Sequence, residues 1–193
     1  MGLNRELVVR AAAELLDAAG GREVPLAEVA ARLGVRTPSL YNHIGGQEEL
    51  RRELSLLGLR ELGARLGRAA IGKSGHEALL AIGHAYRAFA RERPGLYLAT
   101  LRASAPDDAA HQAASREILD VLHLVLAPYG LDPEEEVHAI RGLRSLAHGF
   151  VSLELAGAFG LPVDPDASYY RLLAMYIQGL GQTSTSRYPS NSR

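Results

Sequence analysis

The stretch from Leu26 to Gln47, LAEVAARLGVRTPSLYNHIGGQ, constrains this chain more than any other, because it carries two short helical patterns joined by a tight turn. Leu26, Val29, Ala30 and Leu33 repeat at i, i+3, i+4 and i+7, which gathers them on one buried helix face. Gly34 follows where a helix C-cap needs positive φ and a residue without Cβ is least strained. Val35 then plugs the inside of the turn, Thr37 offers a hydroxyl N-cap, and Pro38 takes the first helical position, where a missing N–H costs nothing. A second helix is predicted from Pro38 to Ile44. Leu40 and Ile44 lie one turn apart and face inward, which directs Ser39, Tyr41, Asn42 and His43 elsewhere. Most of these side chains hydrogen-bond readily to a base edge or a phosphate oxygen. Ala30 is small enough for two steeply crossing helices to approach closely. The expectation is a helix-turn-helix that reads DNA.

These residues also carry a family resemblance. The segment from about Asn4 to Gly63 resembles the N-terminal domain of TetR-type transcriptional repressors, whose recognition helix has the form T/x-P/x-S/T-L-Y-x-H; here it reads Thr37, Pro38, Ser39, Leu40, Tyr41, Asn42, His43. The resemblance implies an all-α chain: a three-helix DNA-binding domain with a helix-turn-helix, followed by a helical ligand-binding and dimerisation domain. It further implies a two-fold dimer that represses transcription at a palindromic double-stranded operator until a small molecule binds. Carried over residue by residue, it assigns Arg36, Thr37 and Ser39 to base edges and Tyr41, His43 and Gln47 to the DNA backbone, with Pro38 and Asn42 in the same interface. Arginine forks onto guanine, so specificity would rest mainly on Arg36. For Tyr41 the alternative is a half-buried aromatic packed on the first helix, and a similar alternative stands for His43. The chain departs from the pattern at Pro25, where a Thr or Ser usually caps the next helix and touches phosphate, and at Gln47, usually Lys.

Composition is that of an ordinary globular protein: 193 residues, 47% hydrophobic, 22% charged, net charge −1. Nucleic-acid-binding domains usually look basic. Residues 1–75 hold 11 Lys+Arg against 9 Asp+Glu, and the remainder 10 against 13, so the asymmetry has the right sign but is small. Binding should therefore rely on a few well-placed contacts and on helix N-termini, with a shallow salt slope. Gly45-Gly46 is expected to leave amide donors at which a phosphate can rest. Arg5 and Arg10 face either phosphate or solvent. The chain has no cysteine, which is compatible with a reducing cytoplasm, the expected location. No secretory or membrane-spanning segment is read, and Glu6 stands where a myristoylation pattern needs Ser or Thr.

The expected organisation is a helix-turn-helix domain over 1–46, a connecting helix over 47–70, an effector-binding and dimerisation domain over 71–181, and a disordered tail over 182–193. The first helix opens after the N-cap Asn4 and stops at Gly20-Gly21. The connecting helix should hold Leu50, Leu54, Leu57 and Leu62 inside. Helical stripes follow from Glu77 to Ala90, from Gly95 to Arg102, from after the loop that ends at Asp108 to about Tyr129, from Asp132 to Gly157, and from Pro165 to Leu180. Asp132-Pro133-Glu134-Glu135-Glu136 is a strong start signal, with a capping Asp, a first-turn Pro and carboxylates against the positive end of the dipole. The last two helices, one seeded with Ala147, Gly149, Ala156 and Gly157, either pair with their copies around a two-fold axis or face this chain's own core. The segment Arg141 to Leu161 resembles the C-terminal domain of a TetR branch named for a Trp-His-Gly signature, with Ala147 in place of the Trp before His148-Gly149.

Tyr86, Phe89, Tyr97, His123 and His148 are the candidate effector-pocket residues, since a cavity among helices needs apolar walls with a few polar points; each is equally readable as ordinary core. No two histidines of the body stand three or four apart on one helix, so no metal is expected, and no cofactor either. Two rival readings remain. One is an enzyme, but no G-x-S-x-G elbow, P-loop, dinucleotide fingerprint or H-E-x-x-H occurs, and no catalytic residue is assigned. The other keeps the helix-turn-helix as scaffold without an operator.

Overall fold

A computed structural model describes residues 2–102 and 105–181. The tail expected over 182–193 lies outside the described residues. Among these residues the structure is helical throughout: α1 (Arg5–Ala18), α2 (Leu26–Arg32), α3 (Thr37–Leu40), α4 (Gln47–Ala70), α5 (Gly75–Glu92), α6 (Pro94–Ala99), α7 (Ala109–Leu126), a 3-10 turn at Ala127–Tyr129, α8 (Pro133–Leu155) and α9 (Pro165–Leu180). The described residues divide into two compact units, 2–65 with 88–102 and 105–119, and 66–87 with 120–181.

In the first unit, α1 is capped by the Asn4 side chain, which accepts the Leu7 amide at 2.8 Å, and buries Val8, Ala12 and Leu16. α4 buries Leu50, Leu54 and Leu62 as expected, but Leu57 is only half-buried. Leu56 and Leu59, on another side of α4, pack on Ala114 together with Ala110 and Ile118 of α7. A helix with neighbours on several sides loses a single clean stripe, which is why reading one stripe missed these two leucines.

α6 is short and sits close to its neighbours. A Cβ on Gly95 would lie 2.4 Å from the Leu16 carbonyl oxygen and 2.6 Å from the Asp17 amide nitrogen, both backbone atoms of α1. A Cβ on Gly58 of α4 would lie 2.8 Å from the Leu96 carbonyl oxygen. Asp17 takes over the capping of α6, accepting the Leu96 amide at 3.0 Å and Arg93 Nε at 2.5 Å. Arg93 also donates to Glu61 of α4 at 2.9 Å. Further along, Arg52 of α4 forks onto Asp108 at 2.5 and 2.7 Å and holds that carboxyl down at about 2.

In the second unit the organising group is Arg87 of α5, 5% exposed. It donates two bonds to Glu154 of α8 at 2.8 and 2.6 Å and one to Asp166 of α9 at 2.7 Å. The guanidinium lies 5.3 Å from the Phe150 ring centroid and 5.1 Å from that of Tyr169. Glu154 first, and Asp166 after it, push the Arg87 pKa further up, against the effect of burial. The fully buried Tyr169 donates its hydroxyl to the Gly83 carbonyl at 2.7 Å, and Tyr176 donates to the Ala139 carbonyl at 2.7 Å. α8 begins as the sequence predicts, with Asp132 accepting the Glu134 and Glu135 amides at 3.0 and 2.9 Å. It ends at Leu155, short of the expected Gly157, which instead takes φ +68° past the helix end.

Two outcomes follow for chemical denaturation of the full chain. Gly95→Ala forces backbone apart and should cost about 2 kcal/mol. Arg87→Met removes the buried cation that Glu154 and Asp166 share and should cost about 3 kcal/mol.

Candidate nucleic-acid interface

The turn between α2 and α3 is built as a Schellman motif: the Val35 amide bonds the Ala30 carbonyl at 3.0 Å and the Gly34 amide bonds the Ala31 carbonyl at 3.2 Å, with Gly34 at φ +68°. This fixes where the next helix starts. Arg36, extended at φ −81° and ψ 143°, is the N-cap of α3, so Thr37 is the first helical residue and not the cap expected for it. Pro38 moves to the second helical position, where its missing N–H is still without cost.

The rod predicted from Pro38 to Ile44 is one α-helical turn followed by a hydrogen-bonded turn. Regular helix ends at Leu40, and the His43 and Ile44 amides both bond the Leu40 carbonyl, at 2.8 and 2.9 Å. Asn42 and His43 are weak helix formers and Gly45-Gly46 follows at once, so the last turn tightens instead of continuing. Leu40 and Ile44 are buried at 0% and 1% exposure. Around them Arg36, Pro38 and Asn42 are exposed, Tyr41 is 57% exposed, and Thr37, Ser39 and His43 are half-buried.

Electrostatics single out one arginine on this surface. Arg10 pairs with Glu6, Arg22 with Glu28, Arg32 with Glu14, and Arg51 with Glu23 and Glu48. Arg5 is held by Glu49 and Glu53, which ties α1 to α4. Arg36, next to the turn, has no carboxylate partner among the described residues. Exposed pairs of this kind are worth about 0–1 kcal/mol, so they tune the field of the surface more than they stabilise it.

Two expected phosphate contacts look different in the structure. The Gly45 amide is not open: it donates to the Glu49 carboxylate, and that bond, ahead of Arg5, holds the Glu49 pKa below its ordinary value. Glu49 thus reaches back from the first turn of α4 to the amide of Gly45, four residues before it. Gln47 donates its amide to the Val24 carbonyl at 2.9 Å, and so braces the segment before α2. Pro25 caps α2 by backbone alone, with no side-chain bond.

The five effector candidates divide between the units. Phe89 and Tyr97 are fully buried in the first, with the Arg65 guanidinium 5.4 Å over the Phe89 ring. In the second, Tyr86 is half-buried, His123 meets Glu136 at 2.7 Å, and His148 is half-buried with Ser152 at 3.4 Å. Arg87, which the sequence reading passed over, has partners too far along the chain to be signalled by local spacing. No helix of the described residues is long and apolar enough to cross a membrane.

Comparison with known proteins bears on the whole chain. Residues 8–54 match the family model described as bacterial regulatory proteins, tetR family, and residues 79–176 match a tetracyclin repressor-like C-terminal domain. The HTH-type transcriptional regulator YobS of Bacillus subtilis (strain 168) is 36% identical, over 93% of this chain and 94% of its own length. The HTH-type transcriptional regulator Rv0681 of Mycobacterium tuberculosis (strain ATCC 25618 / H37Rv) is 33% identical, over 95% of this chain and 84% of its own. In fold, the chain is similar to a TetR variant from Acinetobacter baumannii AYE solved in complex with minocycline, with a TM-score of 0.71 at 22% identity, covering 96% of this chain and 100% of that one. With a helix-turn-helix at its start, a tetracyclin repressor-like domain after it and relatives of this closeness, the chain belongs to the TetR family of DNA-binding transcriptional regulators.

Proposed function

We propose that this regulator is a repressor that binds a palindromic operator as a homodimer and leaves it when a small molecule occupies the helical domain over 71–181. The observation that carries the reading is the exposed cluster of Arg36, Tyr41 and Asn42 set on the buried Leu40 and Ile44. Under it, Arg36, Thr37 and Ser39 meet base edges, Tyr41 and His43 meet the backbone, and Pro38 and Asn42 lie within the interface. Gln47, with its amide donated to Val24, approaches phosphate only as the start of α4 does. Residues 1–46 form the reading head, and residues 47–70 connect it to the effector-binding domain. Acting on chromosomal DNA, the protein works in the cytoplasm.

The dimer is supported by the faces that α8 and α9 leave uncovered. Leu153 is 51% exposed on α8, and Leu172 and Met175 are 37% and 70% exposed on α9. Gly149, one turn before Leu153, has nothing within 4 Å of an added Cβ, which suits close helix approach. Ala147, expected on this seam, is buried inside the chain, so the face is drawn by Gly149, Leu153 and Ala156 instead.

Release by an effector is supported by the minocycline complex of the structural neighbour. Tyr86, Phe89, Tyr97, His123 and His148 remain the proposed contacts, and the Trp-His-Gly branch remains the proposed affiliation. Two reading heads must stand about one DNA turn apart, roughly 34–36 Å or a multiple. A ligand that favours one placement of the 47–66 segment then shifts the population away from the operator-bound state.

Light scattering after size exclusion should give twice the mass of one chain at micromolar concentration; a monomer removes the dimer. Gel shift against the gene's own promoter region should show specific binding that drops about tenfold or more in Arg36→Ala, consistent with losing one bidentate base contact. Specific binding that survives Arg36→Ala combined with Tyr41→Ala would show the assignment to be wrong.

A further inference from the structure

The first unit holds a cavity of about 670 Å³ lined by the start of α4 and by residues 102, 105 and 107–111, and it includes none of the proposed DNA or effector contacts. Its size falls within the range of small-molecule sites, roughly 300–1,000 Å³. Ser55 and His111, 4% and 8% exposed, form its most buried polar part, with the hydroxyl 3.0 Å from His111 Nε2. His111 Nδ1 has no hydrogen-bond partner among the described residues. Beside them Arg52 forks onto Asp108, and Asp108 accepts the His111 amide at 3.1 Å.

The charges of the wall decide the class of ligand. Arg52 and Asp108 satisfy each other, Arg51 is held by Glu23 and Glu48, and Glu49 is held by Arg5. Two ionised side chains of the lining are left without an opposite charge among the described residues, and they are one cation and one anion: Arg102 and Asp107. A simple anion would meet Arg102 but be repelled by Asp107, and a simple cation would meet the reverse. Ala105, Ala109 and Ala110 add small apolar side chains to the lining. We propose that this cavity binds a small zwitterion of the amino-acid class, its carboxylate on Arg102, its ammonium on Asp107 and its remainder toward Ser55 and His111. The planar guanidinium suits a carboxylate, with which it forms paired hydrogen bonds. The Arg52–Asp108 and Ser55–His111 pairs fasten α4 to the start of α7, so a ligand here bears on the helix that follows the DNA-reading turn.

The test uses the full chain without DNA, so its failure leaves the repressor reading standing, and failure of operator binding leaves this site standing. Pools of the common α-amino acids are screened by saturation-transfer NMR and hits are titrated calorimetrically, with butyrate and butylamine as single-charge controls. The expected result is at least one amino acid that binds the native chain about tenfold or more tightly than either control. Its affinity should fall about tenfold or more in both Arg102→Gln and Asp107→Asn, be largely retained in Asp107→Glu, and fall by less in Arg102→Lys, which keeps the charge but loses the fork, than in Arg102→Gln. Both positions are exposed, and circular dichroism checks that each variant is folded. No binding at about 10 mM, equal binding of butyrate or butylamine, or undiminished affinity in either neutral variant would overturn the proposal.

Discussion

The first unit depends on how closely α6 can lie against α1 and α4. Gly95 lets the α6 backbone rest on the last turn of α1, and Gly58 lets α4 come up to it from another side. With no side chains between them, the three backbones are fastened by charge: Asp17 accepts from Leu96 and Arg93, and Arg93 continues to Glu61. Partly buried networks of this kind polarise one another and hold a single geometry more firmly than separate pairs would. The end of α1 and the middle of α4 are thereby fixed, and the DNA-reading segment lies between them in the chain.

The features legible in the sequence are those with local causes. The Asn4 and Asp132 caps, the Gly34 turn and the inward Leu40–Ile44 pair each follow from residues within a few positions, and the structure places them as read. Features with distant causes were hidden. The sequence places a helix from Gly95, one residue after the observed start of α6 at Pro94, but the reason for a glycine there, the Leu16 backbone lying against it, shows only in the fold. Arg87 reads as one more charge on an amphipathic helix, and only folding brings Glu154, Asp166 and two aromatic rings around it. At the candidate interface the side-chain exposures agree with the periodicity, while the cap position and the use of Gly45 and Gln47 do not. Those depend on which of several competing hydrogen bonds forms, and periodicity does not rank them.

The second unit solves a different problem, joining three helices through one cation. A guanidinium offers five N–H donors and two flat faces, and Arg87 uses both, with carboxylates at its edge and rings beside it. Lysine has no planar face and no fork, so the arrangement is specific to arginine.

The ion pairs made by arginines in and around the helix-turn-helix have a consequence for how such a protein searches a chromosome. Arginines that already hold carboxylates release few mobile ions on meeting an arbitrary stretch of duplex, and the neighbouring acids repel its phosphates. Bulk DNA then retains little of the protein. A larger share stays unbound and available to the rare sites that fit, so discrimination is gained by lowering the affinity of the wrong sites as well as by raising that of the right one.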